Sequence, residues 1–446
     1  MNETIVAIAT ANGVGSIAIV RISGEKALQI AKKLSKKNEI TPRYAYLTYI
    51  SDKEELIDQV VMLYFKSPNS FTGEDVVEFQ CHGGAIVANE ILEITLKNGA
   101  RLAMPGEFSK RAFINGKIDL TQAEAIAKMI EAQSVDAAKI LARQLKGSLS
   151  AFVDESRELL LLALAHSEVM IDYAEEDLPK DIIDSIKNKL DALELKLEDL
   201  LESSKRRHGM IDGFNIAIIG KPNVGKSSLL NSLLSYDRAI VSDIAGTTRD
   251  TIEERIKIGT HIIRLIDTAG IRDTNDKIES IGVQRSLRSL DEADIVIALF
   301  DGSREWDKED DNIANIVKNL DDKKHILVVL NKSDLTRKLY NVFLDDYETL
   351  DMSIKSDSKI ISKKLENLLN TISAGDEIML VSNRQIEAVK NSINFIKDAK
   401  KPLLSEELEL FSYHLTEAIK SISSISKPYD NEDILDKMFS EFCLGK

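Results

Sequence analysis

Cysteine is almost missing from this chain: Cys81 and Cys443 are the only two among 446 residues. Two cysteines build no disulfide framework, so a reducing compartment, the cytoplasm, is expected. Long apolar runs are missing too. None approaches the roughly 20 residues that cross a bilayer, so no membrane association is expected. The opening residues, Met1-Asn2-Glu3-Thr4, lack the basic stretch of a signal peptide. Positive charge is not in excess either: 58 Lys and Arg stand against 73 Asp and Glu, a net charge of −15. That argues against indiscriminate nucleic-acid binding while leaving room for a local basic patch. The N-terminal third shows neither a catalytic triad nor a metal site. Cys81 and His82 are adjacent, but no second ligand pair stands at metal spacing, so His82 is expected to be structural.

What is present is a globular composition, 43% hydrophobic and 29% charged, in a chain too long for one core. Two or three domains are expected. The most informative stretch is Gly220-Lys221-Pro222-Asn223-Val224-Gly225-Lys226-Ser227, which fits the phosphate-cradling pattern G-x-x-x-x-G-K-[ST]. An apolar, β-branched run from Phe214 to Ile219 precedes it, and Ser228 to Leu234 follows as a helix start. Strand, glycine loop and helix are the context the motif needs. The glycines turn backbone N–H groups onto the phosphates, and the helix N-terminus adds its positive end. Lys226 suits the β- and γ-phosphates, and Ser227 suits Mg²⁺.

The remaining nucleotide motifs follow in order. Ile262 to Ile266 reads as a strand ending in Asp267-Thr268-Ala269-Gly270, where the aspartate suits a Mg²⁺ water shell and Gly270 N–H the γ-phosphate. Ile295 to Phe300 and Ile326 to Leu330 are two further strands. The second runs into Asn331-Lys332-Ser333-Asp334, the NKxD element, whose aspartate accepts from the N1 and N2 donors of guanine. Ser353-Ile354-Lys355 stands where the last guanine loop belongs, although SAK is commoner there. Together these make GTP the expected nucleotide. Ile271 occupies the place where a Ras-like protein has its water-orienting glutamine, so another group must serve. Ser242-Asp243-Ile244-Ala245-Gly246-Thr247-Thr248-Arg249-Asp250 lies at switch distance, with Thr248 the candidate Mg²⁺-sensing threonine.

Outside this region two patterns alternate. Before about Leu120 the chain reads as mixed α/β, with strands at Thr4–Thr10, Ile17–Ile22, Val60–Phe65 and Val76–Gln80. Arg21 ends one strand and Glu78 sits inside another; buried charges need partners, and a polar ligand is one reading. After Leu120 the pattern turns helical. Ile186, Leu190, Leu193, Leu197 and Leu200 form one apolar stripe, Ile386, Val389, Ile393 and Ile396 a second. Leu404, Leu408, Phe411, Leu415, Ile419 and Ile422 form a third. Lys205-Arg206-Arg207-His208-Gly209 ends a helix; it is read either as an RNA contact or as a hinge that complements the helix C-terminus. The expected fold is an α/β plus all-α multidomain chain. Residues 1–118 are an α/β domain, 119–210 and 376–446 a helical domain, and 211–375 an inserted Ras-like P-loop G domain with a mostly parallel sheet.

The motif set resembles the MnmE (TrmE) family of tRNA wobble-uridine modification GTPases along the whole chain. The family carries GxPNxGKS, DIAGTTRD, DTAGIR, NKxD and a terminal CxGK. Here these are Gly220 to Ser227, Asp243 to Asp250, Asp267 to Arg272, Asn331 to Asp334 and Cys443-Leu444-Gly445-Lys446. Ser70 to Asp75, Pro105 to Phe108 and Gln122 to Ala125 match as well. The resemblance implies a homodimer formed through a folate-binding N-terminal domain. It implies K⁺ at the nucleotide, held by the Asn223 side chain and the carbonyls of Ser242, Ile244 and Thr247. Glu279 matches the family's water-orienting glutamate. Arg21, Glu78, Lys117 and Lys446 match contacts to 5-formyl- or 5,10-methylene-tetrahydrofolate, and Cys443 matches a thiol needed for modification. The flavoprotein MnmG (GidA) would complete a heterotetramer and supply FAD and NADH, with tRNA as substrate. A ribosome-assembly GTPase of the Era/Der group is the alternative, but it would bring a KH-type domain or a second G domain, and neither motif set is present.

Overall fold

Strands of alternating apolar residues build one sheet near the N-terminus, and continuous apolar runs build a second in the middle of the chain. A computed structural model describes residues 3–11, 13–132, 134–172, 180–236, 254–266, 290–320, 324–374, 378–427, 432–440, 442 and 445. The chain opens with β1 (Ile5–Ile8), β2 (Ile17–Ser23), α1 (Ala27–Ser35), β3 (Tyr46–Asp52), β4 (Glu55–Phe65) and β5 (Val76–His82). Next come α2 (Ala85–Lys97), β6 (Arg101–Leu102), α3 (Glu107–Ile114), α4 (Leu120–Glu131), α5 (Val135–Leu145) and α6 (Ser148–Asp172). Then follow α7 (Lys180–Arg207), α8 (Gly209–Asp212), β7 (Phe214–Ile219), α9 (Lys226–Tyr236), β8 (Glu254–Ile258) and β9 (His261–Leu265). The last are β10 (Ile295–Asp301), α10 (Lys308–Lys318), β11 (His325–Asn331), β12 (Thr349–Asp351), α11 (Ser358–Ser373), α12 (Asn383–Leu404), α13 (Leu408–Ser423) and α14 (Glu432–Ser440). They group into two units: Met1–Ala127 with Gln144–Lys180 and Asn394–Lys446, and Lys128–Arg143 with Asp181–Ile393.

In the first unit the sheet order is β3-β4-β5-β2-β1-β6, antiparallel except for the β1–β6 pair. Side chains alternate between faces with period two. Val20 and Ile22 of β2 and Val77, Phe79 and Cys81 of β5 are buried with Ile30 and Leu34 of α1 and Ile91 and Ile94 of α2. Arg21 and Glu78 therefore share the opposite face, directly across the β2–β5 register. Burial pushes the Cys81 thiol up, as befits a core side chain. His82 is exposed and its Nδ1 lies 2.7 Å from Asp58 Oδ1, a surface pair. No metal-holding cluster occurs among the described residues. The helices α6 and α13 of this unit pack together, with a Ser167–Ser412 hydroxyl bond of 2.6 Å. Leu408, Phe411, Leu415 and Ile422 form the buried stripe of α13. Leu404, expected in that stripe, is 59% exposed because α12 ends there and Glu406, at φ 59°, breaks the chain before α13 begins.

In the second unit the order is β12-β11-β10-β7-β9-β8, parallel except for the β8–β9 hairpin. The sheet is thus mostly parallel, as expected. Every residue of β10 is buried, the signature of a central strand covered on both faces. The stripe Ile186, Leu190, Leu193, Leu197 and Leu200 of α7 is buried throughout. Arg207, at the end of α7, is only 2% exposed and donates to the Ile378 carbonyl at 3.0 Å. It ties the end of α7 to the backbone at Ile378, while Lys205 and Arg206 of the same run stay exposed. No described helix is long and apolar enough to cross a membrane.

Candidate functional site

The phosphate loop leaves β7 at Gly220, where a Cβ would stand 2.5 Å from the Leu299 carbonyl oxygen, so only glycine lets β7 and β10 meet there. Asn223 takes φ 66° and Gly225 φ 108°, and these two reversals wrap the loop before α9 starts at Lys226. Lys226 Nζ donates to the carbonyls of Gly220 and Lys221, at 2.7 Å each, which fixes the ammonium in the loop. Val224 is buried as the loop's apolar anchor, while Ser227 and Ser228 face outward in the first turn of α9.

The base loop begins where β11 ends. Asn331, 5% exposed, donates from Nδ2 to the Val224 carbonyl at 2.7 Å and accepts from Ile354 N–H at 3.1 Å. One amide thus joins the phosphate loop, the NKxD loop and Ser353-Ile354-Lys355. The Ser353-Ile354-Lys355 segment, a poor motif match, thus lies beside the NKxD loop: Ser353 and Ile354 are buried and Ser333 N–H bonds the Met352 carbonyl at 3.2 Å. Asp334 is exposed on the rim. Lys332 Nζ lies 2.6 Å from Asp301 Oδ2, and Asp301 is held below the usual carboxylate range by that contact and by Ser303, against the opposing effect of burial.

The second polar site lies on the sheet of the first unit. Arg21 Nε donates to Glu78 Oε1 at 2.8 Å, with side chains 23% and 14% exposed. The guanidinium stands 5.8 Å from the Phe108 ring centroid and 5.9 Å from that of Phe71. Lys117 is exposed and touches the same 71–74 segment: its Cε would lie 3.3 Å from a Cβ on Gly73, and Asn115 Nδ2 bonds the Thr72 carbonyl at 2.6 Å.

Sequence reasoning assigned no role to the charges beneath this site. Arg111, 2% exposed, donates to Glu74 (3.0 Å), to Glu107 (2.9 Å) and to the Glu3 carbonyl (2.9 Å). Arg101 clamps Glu107 from the other side at 2.7 Å. Burial works against the Glu107 charge, yet the bonds from Arg101, the Met104 N–H and Arg111 bring its pKa down to about 2. Ser23 Oγ, two residues from Arg21 and so on the same face, meets Thr72 Oγ1 and Glu74 Oε2 at 2.7 Å each. The signal for these residues lay in Ser70 to Asp75 and Pro105 to Phe108, matched as strings without a physical role.

The tail is also placed more firmly than its sequence suggests. The last apolar stripe ends at Ile422, which leaves Cys443 beyond any expected core. Instead α14 buries Phe439, whose ring centroid is 5.1 Å from that of Phe442. Gly445, at φ 90°, approaches β1 so closely that a Cβ would stand 2.6 Å from the Ile8 carbonyl. Nine residues of α14 are too few for a periodic pattern to declare itself, and only the packing on Leu120 and Ala123 reveals the helix. Of the expected site residues, Ser242 to Thr248, Asp267 to Gly270, Glu279, Cys443 and Lys446 lie outside the described residues.

A family model described as the GTP-binding protein TrmE N-terminus matches residues 4–117, and one described as the MnmE helical domain matches residues 120–443. The chain belongs to the MnmE family. The tRNA modification GTPase MnmE of Sulfurovum sp. (strain NBC37-1) is 63% identical over 447 residues, covering 100% of this chain and 99% of the relative. That of Aliarcobacter butzleri (strain RM4018) is 60% identical over 446 residues, with 100% and 99% covered. A solved structure of Era in complex with MgGDPNP and a segment of 16S ribosomal RNA is 27% identical, covers 40% of this chain and 65% of that one, and has a TM-score of 0.26. The curated relatives are named tRNA modification GTPases, and GTP hydrolysis is the activity of this family.

Proposed function

We propose that this chain is a K⁺-activated GTPase that acts with the flavoprotein MnmG to modify carbon 5 of the tRNA wobble uridine, using a tetrahydrofolate one-carbon unit. The observation that carries the reading is the Arg21–Glu78 pair: two charged side chains, mostly buried, held on one face of a sheet in the same chain as a GTP site. A folate carries both amide and carboxylate groups around an aromatic pteridine. Arg21, Glu78 and Lys117, with Lys446 of the tail, offer both charges, and the Phe71 and Phe108 rings offer stacking surface. Leu47 and Tyr49, 65% and 55% exposed, lie on that same sheet face, as their pairing with β4 dictates, and suit it to a second copy in a homodimer. Residues 1–118 form the folate and dimerisation domain in this reading, 119–210 and 376–446 the helical domain, and 211–375 the inserted G domain. The cytoplasm is the compartment, and the partner contributes FAD and NADH.

At the nucleotide, Asn223 stands exposed at a left-handed position of the phosphate loop, and its amide oxygen is a hard donor suited to K⁺. The carbonyls of Ser242, Ile244 and Thr247 would complete that set, and Ser227 and Thr248 would hold Mg²⁺. A monovalent cation held there would supply positive charge against that developing between the β- and γ-phosphates. Lys226 moves from the Gly220 and Lys221 carbonyls to the phosphates, Asp334 reads guanine, and Glu279 orients water. GTP hydrolysis is accordingly expected to be slow in Na⁺ and to rise strongly in K⁺; equal initial rates in the two salts would remove the K⁺ assignment.

Mass spectrometry of tRNA nucleosides tests the reading as a whole. A deletion strain should lose the modified wobble uridine, and the wild-type chain should restore it. Cys443→Ser should fail to restore it, because a serine hydroxyl stays protonated where a thiol yields thiolate. An unchanged nucleoside profile on deletion overturns the reading, and full restoration by Cys443→Ser makes the cysteine a bystander.

A further inference from the structure

Asn331 is one link between the phosphate loop and the base loop. A second link is made of charge alone. Lys221, the residue after Gly220, is 6% exposed, and its Nζ lies 2.5 Å from Asp307 Oδ1 and 3.1 Å from Asp310 Oδ2. Asp307 is the N-cap of α10: its carboxylate accepts from Glu309 and Asp310 N–H, and Asp310 answers by accepting from Asp307 N–H. Arg304 reaches both acids, Nη1 to Asp307 Oδ2 at 2.9 Å and Nη2 to Asp310 Oδ1 at 3.2 Å. Its Nε is 3.8 Å from Asp301 Oδ2, the oxygen that also takes Lys332 Nζ at 2.6 Å. The chain of contacts runs from Lys332 through Asp301, Arg304 and the Asp307–Asp310 pair to Lys221. Glu309, 72% exposed and 3.8 Å from Lys221, lies outside it.

Stability does not account for this arrangement. Removing an ammonium and a carboxylate from water costs several kcal/mol per ion, and well-packed apolar side chains of like volume commonly do as well or better. What such a network supplies is geometry, and here both ends are nucleotide loops. Lys221 carries the carbonyl on which Lys226 Nζ rests. Lys332 is the second residue of the guanine reader, two positions before Asp334, and takes φ 68°. The Lys221 contact holds the Asp307 carboxyl down to about 2, so the acid at the junction stays ionised through neutral pH.

We propose that this ion chain is a positioning device that couples the phosphate loop to the guanine loop, so that selectivity for guanine depends on Lys221 and Arg304, neither of which belongs to the Asn331–Asp334 motif. Lys221 acts through the loop carbonyl it anchors, Arg304 through Asp301 and Lys332. The proposal rests on GTP being the nucleotide of this site, which the wild-type preference for GDP over IDP checks separately.

The test measures the affinity of the full chain for GDP and for IDP, which lacks the 2-amino donor that Asp334 accepts. Lys221→Met and Arg304→Met should each lower the GDP-to-IDP affinity ratio by about threefold or more, the scale of coupling between residues of one network. The double variant should lower it no further than either single one, and Lys221→Arg should keep it. Arg304 is one-third exposed, so its loss leaves folding intact even where the buried Lys221 site does not tolerate methionine. A merely structural role lowers GDP and IDP affinity together. An unchanged ratio in Arg304→Met, or strictly additive losses in the double variant, would overturn the proposal.

Discussion

Gly225→Ala is expected to weaken GTP binding by roughly 10²-fold. The residue sits at φ 108°, a conformation that costs a non-glycine residue on the order of 1–3 kcal/mol. A Cβ there would overlap Asn331 Nδ2 and press on Ile354 Cδ1 at 3.2 Å. The overlap expels the amide that bonds Val224 and orders the third guanine loop, and a buried hydrogen bond lost one-sidedly costs about 1–3 kcal/mol. Together these amount to about 2–6 kcal/mol, a range that brackets the ~2.7 kcal/mol of a 10²-fold change in affinity. Most of the cost falls on the loops, since the sheet beneath is packed by Ala298, Phe300, Val328 and Leu330, which the substitution does not touch. Titration calorimetry with GTP, alongside a melting curve, separates the two effects. GTP affinity within threefold of wild type would show that the loop does not need its left-handed turn.

Glu279→Ala is expected to reduce GTP hydrolysis by roughly 10²-fold or more while leaving GTP affinity nearly intact, the usual effect of removing a positioned catalytic group. The chain has Ile271 where a Ras-like enzyme orients water with glutamine, and Glu279 is the acid proposed to take that role. Single-turnover hydrolysis and equilibrium binding are the two readouts. Equal losses in both would make Glu279 a structural residue.

The central strands were legible because their residues are apolar on both faces. Phe214 to Ile219 and Ile295 to Phe300 emerge as β7 and β10 almost residue for residue. The strands that pattern reading missed, β3, β6, β8 and β12, are the edges of the two sheets. An edge strand buries little and carries polar or charged residues, as Glu254-Arg255-Ile256-Lys257-Ile258 does, so its sequence resembles a loop. The α14 helix escaped for a related reason, being nine residues long and recognisable only by what it packs against.

By itself the sequence determined that GTP is the nucleotide, because each motif that cradles phosphate or reads guanine is a contiguous run: a strand end, a glycine reversal and a helix start are local events. It also put Arg21 and Glu78 inside strands. Only the tertiary structure decided that these two face each other, since the antiparallel register of β2 and β5 pairs positions 57 residues apart. It likewise decided that Lys221 pairs with Asp307, 86 residues away, and that Arg111 is buried among Glu74 and Glu107. Nothing local marks these contacts. A buried charge must find a counter-charge, and which one it finds is set by the packing of elements far apart in the chain.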